Sequence, residues 1–439
     1  MDDSTGWQKH TATRVDPAAP DRLARVRSGI WPGIWKRLLG GFLESAITTG
    51  QLELTFPDGA RRRFGRETAR PRITATITQA RSLRRIALNP DLAVGEAYMD
   101  GTLRIDEGDI YGLLDLVLGN LGADAGSALR RGWLALRRLT RPLNLFNPAS
   151  RSRRNVAHHY DLTDRLYDRF LDPDRQYSCA YFTAPDDTLE MAQDQKKRHI
   201  GAKLQLRPGQ RVLDIGSGWG GMARFLARTA QVSVTGLTLS EEQLRYARNA
   251  TAQDGLGGKV EFHLRDYRHE TAAYDRIVSV GMFEHVGTPH YRTYFDAVSD
   301  RLTRDGVALI HTIGSSGPPG APSSWIKKYI FPGGYVPAMS EVLPAIEKSG
   351  LIVTDVEVLR LHYAQTLRIW RQRFLSNRAE LAEIYDDRFC RMWEFYLAAC
   401  EAAFRHSGLV VFQFQLAKRN STLPLTRDYM AAEENHLRT

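Results

Sequence analysis

Apolar residues recur along this chain with two different periods, and the change from one to the other divides it. In the front part, alternation with a period of two marks strands at Gln51 to Phe56 and Arg72 to Ile77. Helical spacing predicts a helix around Ile30 to Phe42, carrying Trp31 and Trp35, and a shorter one over Ile110 to Leu118. Asp58-Gly59 and Asp100-Gly101 punctuate this region as turns. From Val156 the pattern becomes short apolar strands alternating with helices. The strands fall at Arg211 to Ile215, Val232 to Leu237, Val260 to Leu264, Arg276 to Val280, Val307 to His311, Ile352 to Leu359 and Leu409 to Leu416. Such alternation predicts a parallel sheet with crossover helices, an open doubly wound α/β fold behind a smaller mixed α+β domain. Arg141 to Asn155 holds Pro142, Pro148, several asparagines and a run of Ser and Arg, the composition of an exposed connection. The expected units are therefore 1–145, a linker at 146–155, a catalytic domain at 156–425 and a tail at 426–439.

Composition narrows the class. At 439 residues the chain exceeds one ordinary core, and 43% hydrophobic with 25% charged residues fits a globular protein. No apolar run reaches the roughly 18 residues that a membrane-spanning helix needs. The opening MDDSTGWQKH is acidic and polar, unlike a signal peptide, so a cytoplasmic location is expected. The three cysteines, Cys179, Cys390 and Cys400, form no pair at metal or redox spacing, so reduced thiols and no metal are expected. His158 and His159 adjoin each other, but neighbouring helical positions point about 100° apart and make a poor metal pair.

The net charge of +10 is concentrated at the front, where residues 1–155 hold 25 Lys/Arg against 16 Asp/Glu. Nucleic acid and an anionic membrane both suit such an excess. On a helix through Leu129 to Arg141, Leu129, Trp133, Leu136 and Leu139 share one side, and Arg130, Arg131, Arg137, Arg138 and Arg141 the other. That is the layout of a helix lying in a lipid interface, and equally of a surface helix with its apolar side on a core.

The candidate chemistry begins at VLDIGSGWGG, residues 212–221, which ends a strand and opens a helix. Gly216, Gly218 and Gly220 allow a tight turn and close ligand approach, while Gly216, Gly218 and Gly221 also satisfy GxGxxG, so a dinucleotide site competes. Two details point to S-adenosylmethionine: Asp214 lies inside the turn motif, and the second strand ends at Thr238 rather than an acid. Glu241 and Glu242, about 20 residues past the loop, keep the dinucleotide reading open. The third strand runs into Arg265-Asp266-Tyr267-Arg268, an acceptor and an aromatic face suited to adenine, or a plain solvated turn. Asp214, Thr238, Asp266, Glu284 and His311 all fall at strand ends, which predicts that they converge on one crevice.

With these residues in place, the chain resembles the cyclopropane-fatty-acyl-phospholipid synthase family, related to the mycolic acid cyclopropane synthases. The matching segments include HHYDLTDRLYDRFLD at 158–172, YSCAYF at 177–182, LDIGSGWGG at 213–221, GLTLSEEQ at 236–243, MFEHVG at 282–287, HTIG at 311–314, HYAQTL at 362–367 and RMWEFYLAACEAAFR at 391–405. RRIALNPDLAVGEAYMDG at 84–101 extends the likeness to most of the chain. The resemblance implies a Rossmann-like, seven-stranded methyltransferase domain behind a lipid-binding front domain, and a homodimer. It implies cofactor contacts at Tyr177, Ser178, Gly216, Thr238, Gln243 and Tyr267, and a bicarbonate ion held by Cys179, Glu284, His311, Ile313 and Tyr363. Ser217 departs from the Cys of many relatives, at a position expected to offer mainly backbone.

The implied reaction transfers a methylene group from S-adenosyl-L-methionine to the double bond of an unsaturated phospholipid acyl chain at an anionic membrane surface, with no role for nucleic acid. An alkene is a weak nucleophile, so it needs close positioning in a dry pocket, and ring closure then needs a base for the proton of the added methyl. Bicarbonate suits that task, with His311, Tyr363 and a backbone amide near Cys179 or Ile313 as donors and Glu284 as acceptor. Tyr160, Tyr167, Tyr177, Tyr181 and Phe182 are candidate aromatic faces for the intervening cation. Taken singly, Cys179 reads as a small buried apolar residue, His311 as a structural histidine and Glu284 as the start of a helix. Alternatives are methyl transfer without ring closure, methylation of a small amine, or a lipid carrier that has lost catalysis.

Overall fold

A computed structural model describes residues 31–66, 71–123 and 164–438. Linker 146–155, the basic amphipathic stretch at 129–141, His158, His159 and Tyr160 lie outside these described residues. The front region holds helix α1 (Trp31–Ala46), strands β1 (Gln51–Thr55), β2 (Arg61–Gly65) and β3 (Arg72–Ile77), helices α2 (Ala80–Leu88) and α3 (Pro90–Met99), strand β4 (Leu103–Glu107) and helix α4 (Ile110–Ala123). The sheet order is β2-β1-β3-β4, with β1 and β3 parallel. Ile73, Ala75 and Ile77 alternate inward from β3. Asp58-Gly59 turns the β1–β2 hairpin, with Gly59 at φ +79. Strand β2 carries no apolar alternation, because only Phe64 is buried while Arg63 reaches across to the buried Glu53 at 2.8 Å. Its ladder with β1 makes it a strand; its sequence, RRRFG, reads as a solvated charge run.

The second region starts with α5 (Leu189–Leu204) and continues through β5 (Arg211–Ile215), α6 (Gly221–Ala230), β6 (Ser233–Thr238), α7 (Glu241–Gln253), β7 (Val260–Leu264), β8 (Tyr274–Val280), α8 (Tyr291–Arg301), β9 (Leu302–Ser315), α9 (Met339–Lys348), β10 (Ile352–Leu359), α10 (His362–Ser376), α11 (Asp387–His406), β11 (Leu409–Ala417) and α12 (Asp428–His436). All seven predicted strands are present, in the order β10-β11-β9-β8-β5-β6-β7. The sheet is not wholly parallel. Strand β11 inserts antiparallel between β9 and β10, entering through Gly408 at φ +72. The strand order reverses between β5 and β8, and an open α/β sheet binds its ligand beyond the carboxyl ends at such a point.

The two regions share one apolar core, which runs from Leu39 and Phe56 in the front through Trp325, Trp370 and Trp393 to Val411. Helix α3 meets the rear layer so closely that a Cβ on Gly95 would sit 2.4 Å from Trp325 Nε1 and 2.7 Å from Phe395 Cε1. Glu96, on the same helix, is buried and accepts from Lys328 Nζ at 2.6 Å and the Tyr329 hydroxyl at 2.8 Å. A buried carboxylate is tolerated because these bonds and its pairing with Arg85 replace its water.

Candidate active site

Strand β5 ends in Asp214-Ile215 and the chain turns sharply into α6. Gly216 adopts φ +82, and a Cβ there would lie 2.8 Å from Met282 Cβ, so both conformation and space exclude a side chain. The Gly216 and Ser217 amides are turned back onto the Leu237 carbonyl, at 2.9 and 2.8 Å, which ties the loop to the end of β6. Gly220 caps α6 at φ +82, packed on the Phe262 ring. A cavity opens at this loop, lined by Tyr177, Ser178, Asp214, Gly216, Gly218, Thr238, Gln243, Asp266 and Tyr267. Nine of the ten residues expected to contact the cofactor thus meet on one surface; the tenth, Gly220, supports the loop from behind.

Each wall of the cavity is fixed by its own bonds. Thr238 Oγ1 donates to Gln243 Oε1 at 2.9 Å, while Ser240 caps α7 through the Gln243 amide. Burial pulls the Asp266 carboxyl upward, but two bonds from Arg268, at 2.8 and 2.6 Å, outweigh it and hold the group below its usual range. Asp266 therefore presents a fixed anionic acceptor beside the half-buried Tyr267 ring. Asp214 has no cation bonded to it; burial pushes its carboxyl up to about 7, and its Oδ2 has no hydrogen-bond partner. Such an orphaned buried acceptor fits a ligand's hydroxyl or ammonium donors. Glu241 and Glu242 do not line the cavity and Glu242 is paired with Arg245, so the ribose-binding acid of the dinucleotide reading is not supplied by this pair.

The expected convergence of five strand-end residues is corrected in part: Asp214, Thr238 and Asp266 reach the cavity, whereas Glu284 and His311 are not among its lining residues. Gly281, Met282 and His285, next to Glu284 in the chain, do line it. The Gly281 amide donates to the His311 carbonyl at 2.9 Å, so the β8 loop and the end of β9 are joined there. Glu284 Oε1 accepts from the Ile313 amide at 2.6 Å, and Oε2 is buried without a partner. Burial pushes this carboxyl up to about 7 against the opposing pull of that amide bond. The Ile313 amide, one expected donor to an anion, is thus occupied by Glu284. Cys179 is buried, its Sγ turned to the Ala180 carbonyl at 3.3 Å, and burial pushes its thiol far above the usual range. It is no thiolate nucleophile. Tyr363 packs its ring on Trp370 and Phe404. Of the candidate aromatic faces, Tyr177 lines the cavity; Tyr167 packs edge-on against it, and Tyr181 is stacked between His199 and His362.

Sequence reasoning missed Lys196. It lies on α5 and is completely buried, with Nζ donating to Gln176 Oε1 at 2.6 Å and Ser178 Oγ at 2.8 Å, two residues that line the cavity. Burial lowers its ammonium to about 7. The only signal was spacing: Lys196, His199 and Lys203 share one helical face, and the sheet covers that face. Trp219 and Met282 also line the cavity and were not anticipated. Among the described residues, no group of His, Cys, Asp or Glu is placed to hold a metal ion.

A glycine turn at the sheet's switch point, a fixed acid on the third strand and an aromatic neighbour define an S-adenosylmethionine-dependent methyltransferase. The sequence profile of the family described as mycolic acid cyclopropane synthetase matches residues 148–414, and the chain belongs to that family. Residues 40–124 match a domain of unknown function, DUF7884. The chain is 40% identical to the cyclopropane-fatty-acyl-phospholipid synthase of Escherichia coli (strain K12), over 75% of this chain and 84% of that one. It is 37% identical to the tuberculostearic acid methyltransferase UfaA1 of Mycobacterium tuberculosis, over 76% and 81% of the two chains. Among solved structures, the mycolic acid cyclopropane synthase CmaA1 complexed with SAH and CTAB superposes with a TM-score of 0.58 at 34% identity, covering 62% of this chain and 99% of that one.

Proposed function

We propose that this protein is a cyclopropane-fatty-acyl-phospholipid synthase, which adds a methylene group from S-adenosyl-L-methionine across the cis double bond of an unsaturated phospholipid acyl chain. The observation that carries the reading is the unpartnered, buried Oε2 of Glu284, a residue flanked in sequence by Met282 and His285 of the cofactor cavity. Methylation of an amine or hydroxyl needs only a group that takes the substrate's own proton. Ring closure on carbon needs a base held against the added methyl, and a buried acceptor with a spare oxygen is what fixes a small protonated anion there. Likeness to the Escherichia coli synthase supports the same substrate class.

When bound, S-adenosylmethionine supplies an electrophilic methyl carbon. Asp266 and Tyr267 grip one end of the cavity, and the Gly216 turn lets the ligand approach the backbone. Tyr177 is held by a 2.8 Å bond between its hydroxyl and that of Tyr396, so its ring is fixed as a face for positive charge on the acyl chain. Glu284 would accept the proton of a bicarbonate ion and His311 would donate to it, the ion supplying the base that ring closure needs, while the buried Tyr363 and Cys179 would help to exclude water. The net charge of +10, concentrated in residues 1–155, supports binding at the anionic face of a membrane. No helix among the described residues is long and apolar enough to cross one.

Expression in a bacterium lacking cyclopropane lipids tests the proposal. Gas chromatography with mass spectrometry of the acyl chains should show mono-unsaturated species heavier by one CH₂ and carrying a ring. An unchanged profile from folded, cofactor-binding protein overturns it. Likeness to the tuberculostearic acid methyltransferase favours a second reading, methylation without ring closure, and a methyl-branched product would select it.

A further inference from the structure

A chain of hydrogen bonds runs from His311 through the protein interior. Gln413 of β11 is the cross-strand partner of His311, and its Nε2 lies 3.1 Å from His311 Nδ1. Its Oε1 accepts from Lys203 Nζ at 2.7 Å. Lys203 also pairs with Glu357 on β10, whose Oε2 is 2.6 Å from His199 Nε2, and His199 Nδ1 meets Glu434 on α12. Lys203 and Gln413 are fully buried, and His311 nearly so.

The direction of the first three links follows from chemistry alone. An ammonium has only donors, so the Gln413 oxygen must face Lys203 and its NH₂ must face His311. His311 Nδ1 then has to accept, which makes it the bare nitrogen and places the ring proton on Nε2. We propose that Lys203 and Gln413 are positioning residues that lock His311 in the Nε2-protonated tautomer, so that it meets the reaction's anion as a neutral hydrogen-bond donor. The proposal rests on the reading of His311 as an anion contact and adds what orients it. A neutral ring is consistent with its surroundings, because burial and the charges of Lys196, Lys203 and His199 all oppose a proton on His311, with Glu357 alone favouring one. Glu357 neutralises Lys203, and Glu434 holds His199 in place, so the C-terminal helix completes the arrangement.

The sequence conceals this. Lys203 sits in LEMAQDQKKRHIGAKL, which reads as a solvated basic helix, and Gln413 sits more than 100 residues beyond His311 in an apolar strand. Antiparallel insertion of β11 is what brings them together.

Nitrogen-15 NMR of protein labelled at histidine reads the tautomer directly, with the His311 signal assigned by its loss in His311→Gln. Ligand-free wild type should show Nδ1 bare and Nε2 protonated. Gln413→Glu keeps the size of the side chain but offers only acceptors, so Nδ1 should become protonated. A wild-type ring protonated at Nδ1, or a Gln413→Glu ring with Nδ1 still bare, overturns the proposal. If Gln413→Glu does not fold, Lys203→Met removes the donor that orients the amide and should give a mixture of both tautomers, whereas an unchanged ring overturns the proposal. In turnover assays, Gln413→Leu should raise the bicarbonate concentration for half-maximal rate about tenfold, with the KM for S-adenosylmethionine unchanged. Equal changes in both would mark Gln413 as merely structural. Wild-type turnover indifferent to bicarbonate would instead sink the anion reading, and leaves the tautomer measurement to stand or fall by itself.

Discussion

The cofactor cavity and the hydrogen-bond chain at His311 are built from the same sheet in opposite ways. Most of the cavity comes from short contiguous segments, such as 214–222 and 265–268, each closing a turn at a strand end. The chain at His311 draws Lys203, His311, Glu357 and Gln413 from segments scattered over more than 200 residues. Residues near in sequence are joined by turn geometry that glycine, acid and cap positions announce. Residues far apart meet only through strand order, which no local pattern records. Cofactor binding and the setting of His311 therefore rest on different residues, and variants should reveal them as different losses.

The largest expected effect is at Glu284. Glu284→Gln should slow turnover on the order of 100-fold while S-adenosylhomocysteine affinity by calorimetry stays near normal. Parallel loss of both would erase the distinction between the two sites. Next, Gly216→Val forces a β-branched residue into φ +82 and against Met282, and should weaken S-adenosylhomocysteine binding by tenfold or more, about 1.4 kcal/mol. Asp266→Asn removes the anionic acceptor that Arg268 holds, and should weaken the same binding by roughly tenfold with no change in the bicarbonate dependence of the rate. The smallest effect is on stability. Asp214 and Glu284 have folded pKa values raised to about 7, so the folded protein holds these protons more tightly than the unfolded chain. Their contribution to the stability of the ligand-free protein should fall as pH rises from about 4 through 7, opposed by the buried His285 and His311, whose lowered pKa values favour folding as pH rises. Asp214→Asn should therefore lose less stability, or gain more, than wild type between melting curves taken at pH 5 and pH 8.

The sequence itself revealed a good deal of this and hid the rest for physical reasons. Central strands such as Val307 to His311 have nearly uninterrupted apolar stretches, the edge strand Val260 to Leu264 alternates, and all seven were visible. Strand β2 was invisible because its stability comes from Glu53 and its partner ladder rather than from its own side chains. Strand β4 was missed for a related reason, since it exposes Arg104, Asp106 and Glu107 and buries little besides Leu103. Resemblance picked out Glu284 and His311 but not how either is held. Lys196 and Lys203 escaped because lysine is almost never fully buried, and helix α5 buries both.

Gly95 carries a practical corollary for anyone dissecting this protein. The bare backbone of α3 is seated directly on Trp325 and Phe395, so a fragment beginning after residue 145 would leave two large aromatic rings facing solvent. Such a fragment should aggregate during expression, and a failure to purify it in active form would say nothing about which part performs the chemistry.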